Sequence, residues 1–118
     1  MKKILEAIYP FCREARNEGT AFANGYIEPP ARVKFLLNLL EKYKIPHFLD
    51  TFTVELHPDI NFHNIVLPGK SPYIVIAHHD IVNANSDNAN DNSASVINAI
   101  YLKSLSPDAT VVLTDAEE

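Results

Sequence analysis

Two short apolar runs flanking one helix-length apolar stretch constrain this chain most. Tyr73-Ile74-Val75-Ile76-Ala77 and Ala109-Thr110-Val111-Val112-Leu113 are each of strand length and nearly unbroken in apolar character. Such runs are expected of strands covered on both faces, the first reading as a central strand. Between them, Ser93–Leu105 places Ala94, Val96, Ile97, Ile100, Leu102 and Leu105 at helical spacing, which predicts a buried helix. A strand–helix–strand unit is almost always parallel and right-handed. Both strands then end at one edge of the sheet, where open α/β folds bind ligands.

That topology gathers three polar motifs that are distant in sequence. The first run exits through Ala77-His78-His79-Asp80, and the second through Thr114-Asp115-Ala116-Glu117-Glu118. Asn90-Asp91-Asn92 stands immediately before the helix. One or two histidines with several carboxylates suit divalent metal ions and activated water. Carboxylates brought this close repel one another unless a cation sits between them.

Each motif has two readings on its own residues. His78-x-Asp80 is either a metal-binding imidazole oriented by a carboxylate or a surface turn. Asp91 is either a carboxylate bridging two cations or a helix cap, a role that Asp and Asn both favour, Asn92 included. Of the pair Glu117-Glu118, one carboxylate can ligate metal while its neighbour takes a proton from water, or both are solvated terminal charges. His79 reads as a packing or substrate-side residue, and His47, His57 and His63 as structural or surface residues. Cys12 reads as a small buried hydrophobe.

The remainder of the chain completes an α/β pattern. Lys2 to about Arg16 has helical spacing through Ile4, Leu5, Ile8, Phe11, Cys12 and Ala15, with a break or kink expected at Pro10. Asn17–Pro30 reads as a loop. A second helix is expected over Ala31–Tyr43, with Val33, Leu36, Leu37 and Leu40 on one face, ended by Pro46. His47–Leu56 and Phe62–Leu67 read as strands. Pro68-Gly69-Lys70-Ser71-Pro72 reads as a turn, and Ile81–Asn90 as a loop.

Composition excludes several classes. With 118 residues, 47% of them hydrophobic and 21% charged, one domain with a real core is expected. A net charge of −5 and scattered Lys and Arg argue against nucleic acid. No stretch is long and apolar enough to span a bilayer, and Met1–Glu6 is a poor signal peptide. One cysteine precludes an internal disulfide, so a soluble, cytoplasmic protein is expected. Only three glycines are present, and no phosphate loop, dinucleotide fingerprint or nucleophile elbow.

Taken jointly, Ala77-His78-His79-Asp80, Asn90-Asp91-Asn92-Ser93-Ala94-Ser95 and Leu113-Thr114-Asp115-Ala116-Glu117-Glu118 resemble the M28 family of co-catalytic zinc aminopeptidases. The similarity runs over the whole chain, including Asn64–Gly69, with the specific motifs in its second half. The related M20 deacylases share the general scheme. The resemblance implies a three-layer αβα fold with a mixed, mainly parallel sheet, the phosphorylase/hydrolase-like fold in truncated form. Residues 1–118 would be a single partial peptidase domain ending at the Glu-Glu motif.

It also implies roles. His78 and Glu118 would ligate zinc and Asp91 would bridge two ions. Asp80 would orient His78, and Glu117 would be the general base. The substrate would be a peptide or small amino-acyl compound, cleaved at its N-terminal bond by metal-activated water. Two departures stand out. Ser93-Ala94-Ser95 replaces the family's usual Ala-Ser-Gly. The Asp or Glu and the His that family members supply beyond the Glu-Glu pair are absent from the sequence, which leaves two ligands per ion. A homo-oligomer or a complementing C-terminal chain is the expected partner. The competing expectations are an inactive split or degenerate fragment that binds metal or self-associates, and an M20-like deacylase.

Overall fold

The computed structural model describes residues 2–8, 10, 11, 31–79 and 92–115. The expected loops at Asn17–Pro30 and Ile81–Asn90, and Cys12, lie outside the described residues. Helix α1 covers Lys2–Ile8 and α2 covers Ala31–Lys42. Strands β1 (Phe48–Val54) and β2 (His57–Leu67) follow, then β3 (Ile74–His78), α3 (Ala94–Leu105) and β4 (Thr110–Thr114).

The strands form one sheet in the order β1-β2-β4-β3. β1 and β2 pair antiparallel, as do β2 and β4, whereas β3 and β4 pair parallel. The expected mixed α/β sheet is therefore present, with its parallel pairing in the β3–α3–β4 unit. That unit needs the crossover helix because parallel neighbours cannot be joined by a tight turn.

Strand parity sets the core. Val75 and Ala77, Val111 and Leu113, and Ile65 and Leu67 share one face and pack with the helices in a single cluster. Leu36, Leu40, Val96 and Ile100 are fully buried in that cluster. In α2 the buried set is Arg32, Val33, Leu36, Leu39 and Leu40, while Leu37 is only half-buried. Ile4, Ile8 and Phe11 stack at intervals of a helical turn and are buried despite the intervening Pro10.

α2 stops by a mechanism visible in its backbone. Lys44 has φ 55°, and Ile45 N–H donates to Leu40 O at 2.9 Å while Lys44 N–H donates to Glu41 O at 3.1 Å. This is the left-handed helix end usually built on glycine. Pro46, two residues on, cannot continue a helix.

Two sequence expectations are corrected. β3 was expected to be covered on both faces, yet among the described residues it is an edge strand with Ile74 and Ile76 exposed. Among the described residues, helices pack on one face only. On the other face Phe48, Val66, Val112 and Ile76 are register partners in one row across all four strands. Phe48 is 53% exposed and Ile76 66% exposed. α3 was likewise expected to be buried through Ala94, Leu102 and Leu105, but these are exposed. Its buried residues are Val96, Ile97, Ala99, Ile100 and Lys103.

Lys103 is buried because its ammonium replaces water with backbone. Nζ donates to Pro68 O at 2.7 Å, Pro107 O at 2.5 Å and Ala109 O at 2.6 Å. It thereby ties the exit of β2 to the turn between α3 and β4. Gly69 lies in the same junction, where a Cβ would stand 2.3 Å from Asp108 O and 2.4 Å from Ala109 O. No helix among the described residues is long and apolar enough to cross a membrane.

Candidate functional site

The carboxyl ends of β3 and β4 meet as the topology requires. His78 is the last residue of β3, half-buried, and is the register partner of Thr114. The next residue continues the contact, His79 N–H donating to Thr114 O at 2.8 Å. His78 is the one member of the expected site set within the described residues. Asp80, Asp91, Glu117 and Glu118 lie outside them. Nearby His79, Asn92 and Asp115 are described, so the segments that carry the motifs can be followed to within one to three residues of each.

Asn92 and Ser93 form a wide π-type turn that leads into α3. Such turns are rare and frequent at functional sites. Ser93 directly precedes α3, and the cap reading of Asp91 lies outside the described residues. Ser93 has helical φ −59° and ψ −38° and makes no side-chain cap bond. Its hydroxyl instead accepts from Arg32 Nη2 at 3.1 Å.

Arg32 links two of the three motif segments. While Nη2 reaches Ser93, Nε donates to His79 O at 2.6 Å. The guanidinium lies over the Phe11 ring, 4.0 Å from its centroid. A buried cation over an aromatic face is worth about 1–2 kcal/mol, and Arg32 is 4% exposed. The planar fork of arginine lets one side chain serve two acceptors on different elements.

The third segment joins through the histidines. His79 Nε2 lies 2.7 Å from His63 O, and because a carbonyl only accepts, that nitrogen carries the proton. His63 N–H in turn donates to Asp115 Oδ2 at 2.9 Å. Asp115 N–H donates to Asn64 Oδ1 at 3.0 Å, so β2 grips the residue that follows β4 through both its side chain and its backbone. A continuous path thus runs from Ser93 through Arg32, His79 and His63 to Asp115.

His63 is buried as well as central. Its Nδ1 pairs with Thr51 Oγ1 at 3.0 Å, and its Nε2 is buried without a hydrogen-bond partner among the described residues. Burial lowers its pKa below the ordinary 6.5, the nearby Asp115 charge opposing this in part. The ring is accordingly held neutral, with Nδ1–H donating to Thr51 and a bare Nε2 the less costly arrangement.

Sequence reasoning missed Arg32 and gave His63 only a structural or surface role. Both had a signal. Arg32 sits four residues before Leu36 on the apolar stripe of α2, and His63 shares strand parity with Ile65 and Leu67. His79, read as a packing or substrate-side residue, is 2% exposed and hydrogen-bonded.

Among the described residues no three His, Cys, Asp or Glu side chains gather as a metal site. By chemistry the expected donor set, one imidazole and several carboxylates, fits zinc. His78 is the only donor of that set whose position is described.

The fold has a solved counterpart. The chain superposes on a glutaminyl cyclase from an Acidobacteriales bacterium with a TM-score of 0.60 at 18% sequence identity. The match covers 99% of this chain and 45% of that chain, so this chain spans less than half the length of that enzyme. At this identity the likeness concerns the fold alone, a mixed α/β sheet with packed helices. No family model matches the sequence, and no curated relative matches it.

Proposed function

We propose that the chain carries part of the site of a zinc-dependent, aminopeptidase-like hydrolase acting on N-terminal peptide bonds. The observation that supports this reading is the convergence of the three motif-bearing segments at one sheet edge. His78 pairs with Thr114 across that edge, and Arg32 joins the segments on either side of the β3–α3 connection.

In this reading zinc, when bound, polarises a carbonyl and supplies a water acidic enough to react near neutral pH. His78 lends a ring nitrogen, and Asp80 holds that ring in orientation through its other nitrogen. Asp91 and Glu118 would lend carboxylate oxygens to hold the metal. Glu117 takes a proton onto its carboxylate as general base and returns it to the leaving amine. The remaining ligands come from a complementing segment or chain.

The test is hydrolysis of a panel of aminoacyl-nitroanilides by the zinc-loaded chain, alone and with a complementing chain, alongside a Glu117→Gln variant. Release of nitroaniline that Glu117→Gln abolishes supports the reading. Cyclisation of a glutaminyl substrate without hydrolysis would instead align the chain with the activity named for its structural counterpart.

A second reading is a binding or self-associating module without activity. The row Phe48–Val66–Val112–Ile76, exposed at its two ends, and the edge position of β3 among the described residues favour it, since open apolar faces and unpaired edges promote association. Sedimentation of the chain without metal separates the two readings. A stable oligomer with no metal affinity supports the module.

A further inference from the structure

We propose that Arg32 and His79 are positioning residues that lock the three motif segments into one geometry before any metal binds. The inference rests on the zinc-hydrolase reading for its functional consequence, but its structural content is independent of it.

The argument begins with what each group could have done instead. An arginine in the first turn of a helix ordinarily extends to solvent along its aliphatic stem. Here it is buried, flat against Phe11, with Nε on His79 O and Nη2 on Ser93 Oγ. Its acceptors are 47 and 61 residues away in sequence. They bracket the connection that contains Asp80 and Asp91. His79 O belongs to the residue between His78 and Asp80, so the bond fixes the backbone of the His-x-Asp motif itself. Ser93, two residues after Asp91, gives its hydroxyl to Arg32 rather than to the cap of α3.

His79 then carries the constraint to the opposite side. Its ring nitrogen bonds His63 O, its amide bonds Thr114 O, and His63 N–H bonds Asp115 Oδ2. Asp115 stands two residues before Glu117. The geometry of the site segments is therefore set by α2 and β2, two elements that hold no residue of the expected site set. Groups that orient metal ligands from outside typically change metal affinity about 10–100-fold when removed.

The test uses the full chain and four variants: Arg32→Met, Arg32→Lys, His79→Phe and His79→Gln. Methionine keeps the stem against Phe11, and lysine keeps the charge but not the fork. Glutamine keeps a donor toward His63 O, whereas phenylalanine does not. The first readout is amide hydrogen exchange without metal. Arg32→Met and His79→Phe should speed exchange at His79 and Asp115 selectively over Val75 and Val112, which sit within β3 and β4. His79→Gln should restore much of the protection that His79→Phe loses. The second readout is zinc affinity by competition with a chromophoric chelator, where Arg32→Met and His79→Phe should weaken binding about 10–100-fold. Arg32→Lys should remain closer to Arg32→Met than to wild type.

Folded Arg32→Met protein with wild-type exchange at His79 and Asp115 would overturn the inference, whatever the metal result. Selective loosening together with wild-type zinc affinity would overturn its functional part. If the wild-type chain binds no zinc, the hydrolase reading fails, and the exchange data alone decide whether Arg32 and His79 hold the edge.

Discussion

Asp115 and Asn64 face each other across the end of the β2–β4 ladder, Asp115 N–H donating to Asn64 Oδ1 at 3.0 Å. The Asp115 carboxylate completes the grip by accepting from His63 N–H at 2.9 Å. A side chain and a backbone group on one residue are thus held by consecutive residues of β2. This grip lies two residues before Glu117 in the sequence.

Removing the carboxylate leaves a part-buried amide without its acceptor. Asp115→Ala should lower unfolding free energy by about 1–3 kcal/mol, the range for hydrogen bonds to charged groups. Urea denaturation should show this as a lower midpoint with an unchanged slope. Replacement of exposed Asp59 by Ala should stay within about 0.5 kcal/mol of wild type.

His63 gives a pH dependence with a definite sign. Its folded pKa lies below the ordinary 6.5 because burial outweighs the Asp115 charge. As pH falls through 6.5, the unfolded chain takes up a proton at this site that the folded chain does not. Stability should therefore fall from pH 6.5 downward until the folded-state pKa is passed. Thermal melts across that range should show a steeper decline for wild type than for His63→Gln. Parallel profiles for the two proteins would assign the acid sensitivity to other groups.

Lys103 joins parts of the chain that are distant in sequence. Its ammonium serves the carbonyls of Pro68, Pro107 and Ala109. Lys103→Met keeps the stem but removes every one of those donors. The loss should be at least about 2 kcal/mol, because the carbonyls are left with no replacement when the site stays closed to water. Chemical denaturation measures it directly.

Gly69 should tolerate no side chain. The added methyl of Gly69→Ala would meet backbone oxygens of Asp108 and Ala109, which no rotamer change can relieve. The expected cost is about 1–3 kcal/mol, as for overpacked sites. Gly69→Ala should also weaken protection of Ser71 N–H, which donates to Asp108 O across the same junction.

Much of the framework was legible in the sequence because local pattern and core face coincide. The apolar stripe of α2 placed Val33, Leu36 and Leu40 correctly, and the two apolar runs fell within a residue of β3 and β4. The β3–α3–β4 topology followed from chirality rather than from any residue. What failed depended on neighbours. Ile74 and Ile76 are apolar enough for a central strand, but exposure was decided by which faces the helices cover. Leu102 and Leu105 extend the helical pattern of α3 beyond the surface it packs against. Lys103 was invisible because its burial depends on carbonyls that three separate segments bring together.

The site was legible as motifs and not as a connected structure. His78 could be placed at the end of its strand from periodicity alone. Arg32 and His63 could not be joined to it, because their partners lie 47 and 16 residues away. Polar residues on apolar stripes were the available signal in both cases. A buried polar side chain requires a partner, and that partner is commonly long-range.

The most direct test of the account is calorimetric titration of the chain with zinc, compared with His78→Ala. The account predicts measurable binding by the wild-type chain. It predicts a loss of about tenfold or more on replacing His78, whose imidazole is the nitrogen donor of the expected set. Equal zinc affinity in the two proteins, or none in either, would contradict it.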